Sequence, residues 1–202
     1  MPTAERARIA VAGLGRIGRL PAANLAGRVP HAELPGVADA LEPAARETGR
    51  VHSVPWTTTL GTLLHQVRPD GVVIAAPSAL HPELVATAAE ARVHVFCEKP
   101  LGLDTDGCAT AVAAAREAGV ALQVGFQRRF DRDWLALHAA TRDGSLGALD
   151  LFRCSHRNVA LPQASGLGDV FADVAIHDLD AALWLCSDVA ELYAATGTDE
   201  AA

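Results

Sequence analysis

Residues 10–20 read AVAGLGRIGRL, and the triplet Gly13-x-Gly15-x-x-Gly18 within them decides the fold. It follows a short β-type run, Ile9–Ala12, and opens a helical-length stretch, Gly18–Ala26. A strand, a tight glycine turn and a helix in that order start a dinucleotide-binding unit. The first glycine permits the turn. The second lets the backbone approach a pyrophosphate, and the third allows close helix–strand packing. The helix N-terminus then offers its free N–H groups and the positive end of its dipole to the anion. Asp39 ends the next β-type run, GVAD, 21 residues after Gly18. A carboxylate there accepts hydrogen bonds from both adenosine ribose hydroxyls and repels a 2′-phosphate, which favours NAD over NADP. Taken alone, the glycines are also compatible with a structural turn in an α/β protein.

The rhythm of the first 125 residues supports the first reading. Apolar β-type runs recur at Ile9–Ala12, Leu34–Ala38, Val72–Ala76, Val93–Cys97 and Ala121–Val124. Amphipathic stretches lie between them, clearest at Leu60–Val67, His81–Ala91 and Asp104–Ala118. Alternating strand and helix predicts a parallel sheet covered on both faces. A continuous apolar run such as GVVIAAP suits a strand buried on both sides. Pro35 fits the second strand only if that strand is short or begins after it, because proline removes a ladder donor. After Gly125 the rhythm changes. Asp131–Arg142 predicts a helix, Ala148–His156 a strand, Gly168–Cys186 a helix and Val189–Ala195 a further strand. The expected fold is α/β: an N-terminal Rossmann doubly wound parallel sheet over 1–124, then an incomplete α/β (α+β) domain over 125–202.

Composition narrows the function classes. Of 202 residues, half are hydrophobic and 20% are charged, which excludes a disordered chain. The net charge of −7 gives no electrostatic reason to sit on nucleic acid. Apolar runs all fall short of the ~18 residues of a membrane span, so neither nucleic acid nor membrane is an expected partner. Aromatics make up only 4%, so the core must be built from Ala, Val and Leu. Cys97, Cys108, Cys154 and Cys186 show no CxxC and no metal-like spacing with His. They predict no metal site, and read as buried free thiols of a reducing, cytoplasmic compartment.

Two further segments carry chemistry. Val93–Cys97 runs into Glu98-Lys99-Pro100, and ligands of a parallel sheet bind beyond the carboxyl ends of its strands. Lys99 is the single lysine beside sixteen arginines. Its retention suits a need for a compact primary ammonium, although one lysine can also persist by chance. Pro100 marks a tight turn and a candidate cis bond. In GDVFADVAIHDLDAALWLC, Asp173 and His177 stand at i, i+4 on a helix face. A histidine oriented by a carboxylate suits removal of a proton from a substrate hydroxyl, and the same pair also fits an ordinary helical ion pair. Asp178 and Asp180 read as solvated or as helix contacts.

Together these segments resemble the Gfo/Idh/MocA family of glucose–fructose oxidoreductase, inositol dehydrogenase and rhizopine-catabolism proteins. The resemblance rests on GLGRIG at 13–18, Asp39, AAPSALHPEL at 75–84, HVFCEKPLGL at 94–103, QVGFQRRFD at 123–131 and DVAIHDLDAALWL at 173–185. It leans toward the inositol 2-dehydrogenase branch through FCEKPL and GFQRRFD. It implies oxidation of a secondary hydroxyl of a cyclic polyol or sugar by NAD. His177 would be the base, Lys99 would polarise the reacting oxygen, and Asp173 would orient His177 or the substrate. It implies NAD contacts from Gly13, Gly15, Arg16, Ile17 and Asp39, with Ala76, Pro77, His81 and Glu98 nearer the nicotinamide. Arg129, His156 and Asn158 are the implied polyol contacts. Family chains continue past the strand after the Asp–His helix, so this chain reads as C-terminally shortened. A homo-oligomer is expected if the second sheet is complete enough. The alternative function is a truncated, non-catalytic NAD-binding paralogue or sensor module.

Overall fold

A computed structural model describes residues 6–155, 171–186 and 188–195. The chain divides into two compact units, 1–125 and 126–202.

The first unit is one parallel sheet. Its strands are β1 (Ala7–Ala12), β2 (Ala32–Glu33), β3 (Val37–Ala38), β4 (Trp56–Thr57), β5 (Gly71–Ile74), β6 (His94–Cys97) and β7 (Leu122–Val124). They lie in the order β4-β3-β1-β5-β6-β7, with β2 pairing alongside β1. The order reverses at β1, as in a doubly wound dinucleotide-binding sheet. The helices between them are α1 (Arg19–Gly27), α2 (Glu42–His52), α3 (Leu60–Val67), α4 (His81–Glu90) and α5 (Thr105–Ala118). Pro35 separates β2 from β3, and the strand leading to Asp39 begins after it.

Strand alternation sorts the core into two layers. Ala10, Ala12, Val72 and Ile74 pack with Leu63 and Val85. Their neighbours Val11, Val37 and Val73 pack on the other face with Ala22 and Leu25. This is why β1 and β5 read as unbroken apolar runs. The buried apolar side chains described are Ala, Val, Leu, Ile and Cys, as the low aromatic content required.

The register lines up the carboxyl ends. Ala12 pairs with Ala38 and with Ile74, Ala38 with Thr57, Ile74 with Cys97, and Cys97 with Val124. Gly13, Asp39, Ala75 and Glu98 are therefore the first residues past one common edge.

Among the helices and strands of this unit, α2, β2 and β4 were not foreseen. The buried residues of α2 are Ala45, Thr48 and Gly49, too small and polar to show as an apolar stripe. Gly49 leaves room for Trp56, whose ring would meet a Cβ there at 2.7 Å.

The second unit holds a 3-10 turn (Gln127–Phe130), α6 (Arg132–Arg142), a π turn (Phe171–Ala175) and α7 (Ile176–Cys186). The Asp131 carboxylate caps α6 by accepting from the backbone N–H of Asp133 and Trp134. The strands expected at 148–156 and 189–195 are corrected: the described residues 148–155 and 189–195 form no ladder and are almost all exposed. Strand pairs of that size need further strands or a helix to pack on. The start of the helix expected from Gly168 lies outside the described residues. Its described part begins with π rather than α geometry.

Candidate active site

The glycine turn closes on itself as its sequence requires. Gly13 sits at φ +87°, and a Cβ there would strike the backbone of Ala75 and Ala76. A Cβ on Gly18 would strike the carbonyl of Gly13. Gly15 differs, because nothing lies within 4 Å of the place its Cβ would occupy. Two glycines thus permit packing, and the third leaves open space over the loop. A pyrophosphate approaching the backbone needs that space.

Asp39 is tied into the same loop. Its Oδ2 accepts from the Leu14 N–H at 2.6 Å, and its Oδ1 accepts from the Leu41 N–H at 2.8 Å. Each carboxylate oxygen retains acceptor capacity for a ribose hydroxyl. Gly13, Gly15, Arg16, Ile17, Asp39, Ala76 and Pro77 all line one cavity of about 630 Å³ past the ends of β1 and β3. The sequence reading missed Leu41, Thr58 and Thr59 in its lining; Thr58 and Thr59 follow β4, a strand too short to recognise. Cradle, open glycine and fixed carboxylate fit an NAD dinucleotide.

His81 takes a different place. It is 1% exposed, with Nδ1 2.6 Å from the Pro100 carbonyl oxygen and Nε2 2.8 Å from that of Ala76. Both ring nitrogens thus face backbone, and the residue spans the loops after β5 and β6. The Lys99–Pro100 peptide is cis. Glu98 and Lys99 are half-buried, and a Cβ on Gly125 would lie 3.3 Å from Glu98 Oε2. Cys97, just before them, is buried. Burial first and the Glu98 charge second push its thiol up to about 12. The expectation of buried thiols holds for Cys97 but is corrected for Cys154 and Cys186, which are exposed; Cys108 is half-buried. All four are free.

In the second unit, Asp173 lies in the π turn and His177 is the second residue of α7, half-buried. The neighbours of α7 were not legible. Arg128 Nη1 donates to Asp178 Oδ1 at 2.5 Å and to the His177 carbonyl at 3.1 Å. Arg129 grips Asp180 through Nε at 3.0 Å and Nη2 at 2.8 Å. Arg129, expected as a polyol contact, thus places its guanidinium on a buried carboxylate. His138 stacks on Trp184 at 4.3 Å. The ion-pair partners stand 50 and 51 residues apart, and a single sequence carries no signal that pairs them. His156 and Asn158 lie outside the described residues.

The oxidoreductase family with an NAD-binding Rossmann fold matches residues 7–126, and the Gfo/Idh/MocA C-terminal domain matches residues 134–202. The chain belongs to the Gfo/Idh/MocA family. Among its relatives, the myo-inositol 2-dehydrogenase of Thermotoga maritima is 34% identical over 95% of this chain and 58% of its own length. The scyllo-inositol 2-dehydrogenase (NAD(+)) of Bacillus subtilis is 33% identical over 96% of this chain and 57% of its own. The crystal structure of a Lactobacillus casei scyllo-inositol dehydrogenase with bound NAD(H) and scyllo-inositol superposes with a TM-score of 0.77. It is 26% identical, over 90% of this chain and 56% of that one. The chain thus spans a little over half the length of these Gfo/Idh/MocA relatives. No helix among its described residues is long and apolar enough to cross a membrane.

Proposed function

We propose that the protein is an NAD-dependent dehydrogenase that oxidises a secondary hydroxyl of a cyclic polyol of the inositol class. The observation that carries this reading is the cavity past β1 and β3, where the open Gly15 and the doubly anchored Asp39 match the two ends of a dinucleotide half. The inositol dehydrogenases among its relatives supply the substrate class. NAD, when bound, supplies the two-electron acceptor.

The chain's own residues do the rest. The loop N–H groups around Gly13–Gly15 hold the pyrophosphate, and Asp39 holds the adenosine ribose. His177 takes the proton of the reacting hydroxyl, a transfer worth about 10²–10⁴-fold in rate. Lys99 donates a hydrogen bond to the same oxygen and stabilises its developing negative charge. Asp173 orients the imidazole or the substrate. Glu98, Ala76 and Pro77 form the nicotinamide end, and His81 braces the two loops behind it. His156 and Asn158 remain the proposed polyol contacts. The proposed domain limits are 1–124 and 125–202, with cofactor binding assigned to the first part and the proton acceptor to the second.

The test is thermal unfolding with NADH and with NADPH, then a polyol panel that includes myo- and scyllo-inositol. At a hundredfold excess over Kd a cofactor adds about 2.7 kcal/mol. A rise of several degrees with NADH, little with NADPH, and polyol-dependent NADH formation are expected. A rise with no turnover on any polyol would leave an NAD-binding module without this chemistry. No response to either nucleotide would reject the reading.

A further inference from the structure

We propose that Arg128 and Arg129 are positioning residues for His177, two consecutive guanidiniums that fix the rotation and the axial setting of α7. The inference rests on the reading of His177 as the proton acceptor.

The geometry is that of a two-point clamp. Asp178 and Asp180 are two residues apart, so they leave the helix axis about 200° apart at 3.6 residues per turn. Arg128 holds one side through Asp178, and Arg129 holds the other through Asp180. These pairs act beside the buried Ala181 and Leu185 and the His138–Trp184 stack. Two pairs on nearly opposite sides resist both rolling and sliding. Arg128 adds a bond to the His177 carbonyl itself, the backbone group next to the Cα that carries the imidazole.

The clamp is rigid on its own side. Both arginines belong to the short 3-10 turn Gln127–Phe130. Arg128 lies 4.8 Å over the Trp134 ring, and Arg129 lies 5.6 Å over the Trp184 ring. It is sheltered at three of its four side chains: Arg128 and Asp178 are 19% and 21% exposed and Asp180 is 9% exposed, while Arg129 is 41% exposed. Exposed ion pairs position little, whereas one desolvated to this degree leaves an uncompensated charge if either partner is lost.

The location explains the need. Residues 171–175 form a π turn directly before α7. A π turn holds one residue more than the α geometry that follows, and such turns cluster at functional sites. Slipping that extra residue into α7 would rotate His177 by about 100°. The arginines hold α7 against that slip.

The experiment compares Arg128→Lys, Arg128→Ala and Arg129→Lys with the wild-type chain. Lysine keeps the charge but, as a point donor, cannot reproduce the forked Arg129 contact. At 128, where both bonds depend on one nitrogen, it loses the planar guanidinium that lies over Trp134. Steady-state kinetics with scyllo-inositol at saturating NAD should show kcat roughly tenfold to a hundredfold lower in R128A, with R128K between it and wild type. The KM for NAD should stay within about twofold. The second arm needs no turnover. The His177 imidazole NMR signal, assigned with His177→Gln, should shift in R128A, and amides of α7 should exchange at least about tenfold faster. A lower Tm with unchanged kcat, an unmoved His177 signal and unchanged exchange would overturn the clamp. A wild-type chain that oxidises no polyol would reject the functional reading, while the NMR and exchange arm would still decide whether the arginines hold His177.

Discussion

The two units hold their functional side chains by opposite means. Residues 1–125 place them on backbone: the carboxyl ends of β1, β3, β4, β5, β6 and β7 are fixed in register, and a buried apolar layer covers each face of the sheet. In residues 126–202 ion pairs meet the helix that carries His177: Arg128 and Arg129 bind Asp178, Asp180 and the His177 carbonyl, and Ala181 and Leu185 are the buried apolar side chains among the described residues there. A dinucleotide cradle is made of backbone N–H groups and needs a rigid edge. The proposed general base is one side chain, and a few directional contacts on its helix would suffice.

The largest expected effect separates chemistry from binding. His177→Ala should lower kcat by about 10²–10⁴-fold, the usual worth of a positioned base. NADH affinity, measured by fluorescence titration, should change less than about twofold, because the cradle residues all belong to 1–125. Lys99→Ala should behave alike with a smaller loss. Wild-type turnover in either variant would remove that residue from the mechanism.

Next comes the packing of the first unit. Leu63 is fully buried against the sheet, and Leu63→Ala should cost about 2–5 kcal/mol by urea unfolding. That cost should be nearly independent of salt. The destabilisation from Asp180→Asn should instead change between low and high salt, because it removes an ion pair. Equal salt dependence in both variants would erase the contrast between the units.

The same contrast explains what could be read from the chain. Unbroken apolar runs mark β1 and β5 because both faces of the sheet are covered, and GLGRIG marks the turn because glycine alone fits at Gly13 and Gly18. The α2 helix escaped because its buried side is Ala45, Thr48 and Gly49, and β4 because two residues carry no period. In the second unit the determinants are pairs of charges 50 and 51 residues apart, which no local pattern reports. Hence Asp180 read as solvated or as a helix contact, and it is a nearly buried partner of Arg129. Alternation in Ala148–His156 suggested a strand, but alternation without a neighbouring strand makes no ladder.

A smaller effect is expected at Asp39, where the carboxylate holds the loop as well as facing the cavity. Asp39→Ala removes the acceptor of the Leu14 and Leu41 N–H groups and should cost about 1–3 kcal/mol. It should also relax the preference for NADH over NADPH in the thermal-shift series. Unchanged stability with relaxed preference would make the carboxylate a ribose contact alone. A loss of stability with the preference retained would make it a loop anchor alone.

The last effect is a slope rather than an offset. Cys97 has its thiol raised from 9.0 to about 12 inside the sheet, by burial first and by Glu98 second. Below pH 9 the thiol is protonated in both the folded and unfolded chain and contributes no pH dependence. Between 9 and 12 the unfolded chain releases the proton while the folded chain keeps it. Stability therefore falls as pH rises through that window, by about 1.4 kcal/mol per pH unit from this group. Cys97→Ala should flatten the alkaline limb of the urea-unfolding profile by that slope, whatever the substitution costs at neutral pH. Thiol reagents sharpen the point: the exposed Cys154 and Cys186 should react in the native protein, and Cys97 on unfolding. Prompt native-state labelling of Cys97 would mean that the sheet opens far more readily than its packing implies, and the rigid edge assigned to the cradle would go with it.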